Sequence, residues 1–148
     1  VIGAGGVLDG KDIVEMLKLG ANGVQMGSRF AASEECNASD ELKKMYLCAK
    51  APEDVVLIES PVGLPGQAIR NKFAASILDG TVPPPTECDR CLKHCSHKFC
   101  LIKALERAQQ GDVETGLVFS GNNMRKVDKI LPVKEIFRRL LAETSQID

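Results

Sequence analysis

The chain has 148 residues, 44% of them apolar and 26% charged, with a formal net charge of −1 at neutral pH. That is the length and mix of one ordinary globular domain. The balanced charge excludes nucleic acid as a bulk partner, which needs clustered Lys and Arg, and no apolar run reaches the ~20 residues of a membrane span.

The first residues, "VIGAGGV", read as a short buried strand closed by Gly5 and Gly6. Asp9 stands where a helix N-cap belongs, and "KDIVEMLKLG" places Ile13, Met16 and Leu17 on one helical face before Gly20 stops it. "NGVQMG" is a second strand, with Val24 and Met26 inside and Gly27 at its carboxyl end. Strand, helix and strand joined by glycine turns make a βαβ unit, the building block of parallel sheets. Asn37 or Ser39 can cap a helix running to Lys50, and "DVVLIES" is a β-branched strand before the Pro/Gly loop "PVGLPG". A helix is expected over Gln67–Leu78, stopped by Asp79 and Gly80. "TVPPPTE" reads as a stiff extended linker dividing residues 1–80 from 81–148. Beyond it come a helix from Leu101 to Gln110 ended by Gly111, an extended "GLVFSGNNM", and a last helix begun by Pro132. Its apolar positions Val133, Ile136, Phe137, Leu140 and Leu141 mark a docked face.

Ligands of parallel α/β folds sit at the carboxyl ends of the strands, where backbone N–H groups can cradle a phosphate. Glycine serves there because a Cβ would keep those donors from closing on the anion. A lone Gly-Gly is more often a bare turn. Two glycine ends on consecutive parallel strands, Gly5–Gly6 and Gly27–Ser28, face one side of one sheet and favour the phosphate. Ser28 adds a hydroxyl donor, and Arg29 either balances charge or makes a rim salt bridge.

"VIGAGGVLDGKDIVEMLKLGANGVQMGSRFAASEE" resembles the end of the flavin-binding barrel of nitronate monooxygenases (2-nitropropane dioxygenases) and the related flavin-dependent enoyl-ACP reductases. "SPVGLPGQAIRNKF" and "GDVETGLVFSGNNMRKVDKILPVKEIFRRLL" are similar to later segments of the same family, so the resemblance covers most of the chain. It implies an α/β architecture, the C-terminal portion of a (β/α)8 TIM barrel with additional helices. It implies an FMN-dependent oxidoreductase whose cofactor phosphate is held by Gly5, Gly6, Gln25, Met26, Gly27 and Ser28, its flavin reduced either by a nitronate substrate or by NAD(P)H. Gly121 and Asn122 fall where the family's late glycine loop approaches the flavin. The family's earlier strands and catalytic histidine have no counterpart here, so no catalytic residue is assigned. The expectation is a C-terminal part of a longer protein, completed by that missing half or paired as a homodimer, and binding FMN weakly or not at all when alone. The runner-up is an IMP-dehydrogenase-like barrel, which shares the glycine pattern but binds a nucleotide substrate.

Six cysteines are many for this length, and four of them form "CDRCLKHCSHKFC". Cys88, Cys91, Cys95 and Cys100 have spacings compatible with zinc, with an iron–sulfur cluster or with unliganded reduced thiols. The first three spacings are similar to those of iron–sulfur flavoproteins related to dienoyl-CoA reductase. His94 and His97 can replace a cysteine on zinc, although loop histidines are usually solvated. A non-catalytic metal-binding fragment is therefore the third functional reading. Cys36 and Cys48 are expected to be buried small residues, and Arg70 and Asn71 to lie on a helix surface or near substrate. No secretory leader is visible, so the cytoplasm is the expected compartment.

Overall fold

A computed structural model describes residues 1–146; the last two positions of the 81–148 segment lie outside the described residues. The elements run β1 (Ile2–Ala4), α1 (Gly10–Lys18), β2 (Gly23–Gln25), α2 (Ser28–Ala31), α3 (Asp40–Cys48), β3 (Val55–Glu59), β4 (Pro65–Ile69), α4 (Lys72–Leu78), α5 (Leu101–Gln110) and α6 (Val133–Thr144), with 3-10 turns at Pro52–Asp54 and Asn122–Lys126. The architecture is mixed α/β.

β1 and β2 pair in parallel, Gly3 opposite Val24, with α1 as the crossover between them. The Asp9 side chain accepts from the Asp12 N–H while the Asp12 carboxylate accepts from Asp9, a reciprocal cap that starts α1 where the sequence places it. β3 and β4 form an antiparallel hairpin from Val55–Ile69 to Glu59–Pro65. The Ser120 N–H donates to Gln67 and the Ile69 N–H to Val118, so residues 117–120 lie along the free edge of β4.

This pairing overturns the expected helix over Gln67–Leu78. The edge of β4 gains hydrogen bonds on both sides, which outweighs the weak helical preference of Gln67 and Ala68. The helix starts only at Lys72, where Asn71 caps it.

Strand alternation distributes the core. In β4, Ala68 enters one buried cluster with Ile58, Phe99, Ala104 and Leu117; its neighbour Ile69 enters the other, with Leu8, Leu42, Tyr46, Val118 and Met124. Leu117 and Val118 split between the clusters in the same way. Each cluster takes residues from both sides of the proline-rich stretch around Pro84.

α6 starts just after Pro132, and the Glu35 carboxylate accepts from the Val133 N–H at 2.8 Å. Ile136 and Leu140 are buried, but Phe137 and Leu141 are exposed, so the docked face is narrower than its apolar stripe. Gly10 lets α6 approach α1: its N–H donates to Glu143 at 2.7 Å, and a Cβ there would collide with the Glu143 side chain. Cys48 is exposed and Cys36 half-buried, because Cys48 lies on the outer face of α3, opposite buried Leu42 and Tyr46. Among the described residues, no helix is long and apolar enough to cross a membrane.

Candidate functional site

The carboxyl ends of β1 and β2 stand side by side because the strands are parallel and in register. After β1 the chain turns through Gly5 and Gly6 at φ of +89° and +74°, a conformation that costs other residues about 1 kcal/mol or more. After β2, Gly27 leads into α2, whose first residue is Ser28. A Cβ on Gly5 or on Gly27 would meet no protein atom within 4 Å, so both positions open onto free space.

A third glycine segment joins them from far along the chain. The Gly121 N–H donates to the Ser28 hydroxyl at 2.9 Å, and a Cβ on Gly121 would sit 3.6 Å from both the Gly6 nitrogen and that hydroxyl. Since Ser28 accepts from Gly121, its own O–H is left to donate outward. The Asn123 amide donates to the Gly6 carbonyl at 2.6 Å and fixes how that turn faces. Among the described residues, no protein acceptor meets the N–H groups of Gly5, Gly6, Gly27 or Ser28. Converging backbone donors, a free hydroxyl and open space over glycine make a cradle that suits a phosphate.

Of the residues expected to hold the phosphate, Gly5, Gly6, Gly27 and Ser28 thus lie around one opening. Gln25 ends β2 with its side chain exposed, and Met26 is half-buried beside it. Gly121 belongs with them, while Asn122 is exposed at the start of a 3-10 turn. Asn123 was not foreseen. Its only signal was a place in "GNNM", one residue past the glycine loop.

Arg29 does not face the opening. Its buried guanidinium donates to the Lys129 carbonyl at 3.2 Å, and burial lowers its pKa against the opposing pull of Asp128. Lys126 is likewise engaged, reaching Asp12 at 2.5 Å and Asp9 at 3.0 Å. Burial opposes its charge, but the two carboxylates outweigh that and raise its pKa. Neutral donors therefore line the cradle, and the nearby cations hold the fold.

Arg70 is exposed. Asn71 is a structural staple: its oxygen accepts from the Ala74 N–H at 2.7 Å, and its amide donates to Val113 and Gly116 at 2.6 and 2.8 Å.

The cysteine segment lies elsewhere. Cys88, Cys91, Cys95 and Cys100 all line one cavity of about 300 Å³ with His97 and Phe99. His97 Nδ1 is 3.8 Å from Cys88 Sγ, whereas His94 is exposed on the loop. As they stand, no three His, Cys, Asp or Glu side chains among the described residues are gathered tightly enough to hold a metal. A larger cavity, about 820 Å³, separates this loop from the β3–β4 hairpin tip at Ser60–Leu64.

The family model for nitronate monooxygenase matches residues 1–143. A probable nitronate monooxygenase of Staphylococcus aureus (strain Newman) is 35% identical over 85 residues, covering 56% of this chain and 24% of the relative. One from Staphylococcus saprophyticus is 40% identical over 73 residues, covering 49% and 20%. Among solved structures, FabK from Thermotoga maritima superposes with a TM-score of 0.80 at 32% identity, over 99% of this chain and 44% of that one. A nitroalkane oxidase from Streptomyces ansochromogenes shares the fold, with a TM-score of 0.73 at 23% identity, over 99% and 39%. The chain spans about a quarter or less of the length of these curated relatives and under half of these solved structures.

Proposed function

The chain belongs to the nitronate monooxygenase family, an oxidoreductase family, and on that premise we propose that it carries the phosphate-binding part of an FMN-dependent oxidoreductase. Gly5, Gly6, Gln25, Met26, Gly27 and Ser28 hold the phosphate, the last through its hydroxyl and the others through backbone; Gly121 and Asn123 set the shape of the cradle. The single observation that carries this reading is the meeting of three glycine turns around an opening with unpaired N–H donors. A bound FMN supplies a ring that accepts electrons from a donor such as NAD(P)H or from the substrate and passes them on.

The same reading places β1 and β2 as neighbours in a (β/α)8 barrel, of which this chain forms the C-terminal portion with additional helices. Two short parallel strands are not a stable sheet alone, and parallel sheets bury both faces. Ile2, the first residue of β1, is 69% exposed here, which supports further strands beside β1. Those strands come from another part of the polypeptide or from a second chain.

The test is an anaerobic absorption spectrum of the native polypeptide containing these residues, with its intact mass, beside a Gly27→Ala variant. Flavin bands are expected in the parent. A Cβ on Gly27 collides with no protein atom, so the variant should keep its melting temperature. It should lose about tenfold or more in FMN affinity, roughly 1.4 kcal/mol per decade. A colourless parent that binds a purine nucleotide monophosphate would move the assignment to the IMP-dehydrogenase-like reading. Unchanged FMN affinity in the variant would remove the phosphate from this cradle.

A further inference from the structure

Between Leu78 and Leu101 the chain forms neither helix nor strand. Structureless loops inside compact domains seldom exceed ~12–15 residues unless they have a function of their own. This one has little to hold it. From residue 83 to 99, one backbone–backbone hydrogen bond joins it to the rest of the described residues, from the Ser96 N–H to the Pro61 carbonyl at 2.9 Å. Phe99 is its one buried side chain, packed edge-on against Phe73 with ring centroids 5.6 Å apart. Two ion pairs, Lys98–Glu59 and Lys103–Glu87, are solvent-exposed and contribute little. Such a segment lacks both the buried area and the hydrogen bonds that offset the entropy of ordering it.

Its side-chain chemistry is nevertheless concentrated. Four cysteines wall a single cavity of about 300 Å³. Arg90, between Cys88 and Cys91, and His97, between Cys95 and Cys100, are the two non-glycine residues with positive φ, at 50° and 57°. That conformation is uncommon for a residue with a side chain. Each bends the backbone between two cysteines, the bend a chain needs to turn successive side chains onto a common centre.

We propose that Cys88, Cys91, Cys95 and Cys100 form a four-thiolate metal centre, taking either zinc or an iron–sulfur cluster, and that the metal orders the loop. A tetrahedral set of sulfur donors selects these two metals. Each thiol gives up its proton on binding, so affinity falls as pH is lowered. As they stand the four thiols share a cavity without being gathered on one centre, so the loop must close for them to converge, and that closure is the step the metal drives. His97, beside Cys88, offers its ring N–H to the bound thiolate, the supporting contact metal-site ligands usually have. Arg90 and Lys93 bring positive charge to the same loop, beside the carboxylates of Glu87 and Asp89. The centre also sets one wall of the 820 Å³ cavity, because Cys95 and its neighbours line that side. Nothing in this proposal depends on flavin.

The experiment is metal and acid-labile sulfide analysis of the full chain purified without oxygen, beside Cys91→Ser and, as a control outside the loop, Cys48→Ser. Cobalt(II) titration of the metal-stripped protein supplies a second readout through its thiolate-to-metal absorption. About one zinc per chain identifies a mononuclear centre; iron with stoichiometric sulfide identifies a cluster. In either case Cys91→Ser should lose the metal and the cobalt absorption, while Cys48→Ser keeps both. The proposal fails if the parent holds neither metal nor cobalt–thiolate absorption, or if Cys91→Ser retains metal at the parent level. It fails equally if Cys48→Ser loses as much metal as Cys91→Ser. Because cobalt absorption is read on the parent, misfolding of a variant leaves the result decidable.

Discussion

Single residues far from the glycine cradle decide whether its parts meet. Asn71 shows how much one side chain can carry, since it caps α4 and also satisfies two carbonyls of the 113–116 loop. Asn71→Ala removes the cap, worth about 1 kcal/mol, and leaves two half-buried carbonyls without their donor. A loss of roughly 2–4 kcal/mol is expected in denaturant unfolding. Asn71→Asp keeps the capping oxygen but turns a carboxylate oxygen toward both carbonyls. It should destabilise at least as much as Asn71→Ala at neutral pH, with partial recovery in acid as that carboxylate takes up a proton. Near-parental stability in Asn71→Asp would show that the two amide contacts carry no weight. Asn123 acts on the cradle in the same fashion. Asn123→Ala should weaken FMN binding several-fold in the native polypeptide while leaving the two buried clusters intact, which parallel calorimetry and flavin titration would separate.

At the scale of elements, the segment from Phe119 to Leu131 is the tie that makes the cradle. Its one regular element is the 3-10 turn at Asn122–Lys126, and side chains of other elements hold it. Tyr46 on α3 donates to the Phe119 carbonyl, Lys50 to Val127 and Arg29 to Lys129. Tyr46 gives a pH signature. It is 5% exposed, and burial pushes its pKa up to about 12 from the ordinary phenol value of 10.0. Below pH 10 the phenol is protonated in both folded and unfolded chains, and its contribution is fully present. Between pH 10 and 12 the unfolded chain ionises first, so stability is lost as pH rises through that window, by about 2–3 kcal/mol in full. In Tyr46→Phe that part of the alkaline slope should be missing. Parallel stability–pH curves for the two proteins from pH 9 to 12 would refute the assignment.

Elements whose causes are local were legible in the sequence. The Asp9 cap of α1, the Ser39 cap of α3, the β-branched β3 and the Gly111 stop of α5 all stand where the residues put them. β4 was not legible, because its stabilising partners are the hairpin strand before it and residues some fifty positions later. Gly5, Gly6, Gly27 and Ser28 could be named from strand ends alone, since a parallel register brings such ends together. Asn123 could not, because its contact with Gly6 spans a separation of 117 residues and depends on how the late segment threads back. The exposed Cys48 escaped for a related reason: which face of α3 docks is set by Tyr46 and Leu42, not by how apolar a lone cysteine is.

For the whole molecule, the distribution of buried side chains implies uneven local stability. The centre is the β3–β4 hairpin with residues 117–120 alongside, where Ile58, Ala68, Ile69, Leu117 and Val118 are nearly inaccessible and serve both buried clusters. The parallel pair β1–β2 lies at the margin, exposing Ile2 strongly and Leu19, at the end of α1, even more. Opening free energies in a protein range from near zero at such margins to the global value in the core. Amide hydrogen exchange should therefore find Ile69 and Ser120, whose N–H groups bridge β4 and the late segment, among the slowest. The Asn22 N–H, bonded to Val1 at the open edge, should exchange orders of magnitude faster. In the native polypeptide the barrel reading predicts that the β1–β2 amides become protected once neighbouring strands cover them, with additional slowing around Gly6 and Ser28 when FMN is added. Fast exchange at β1–β2 in that longer polypeptide, with flavin bound, would mean that these strands are not part of a closed barrel.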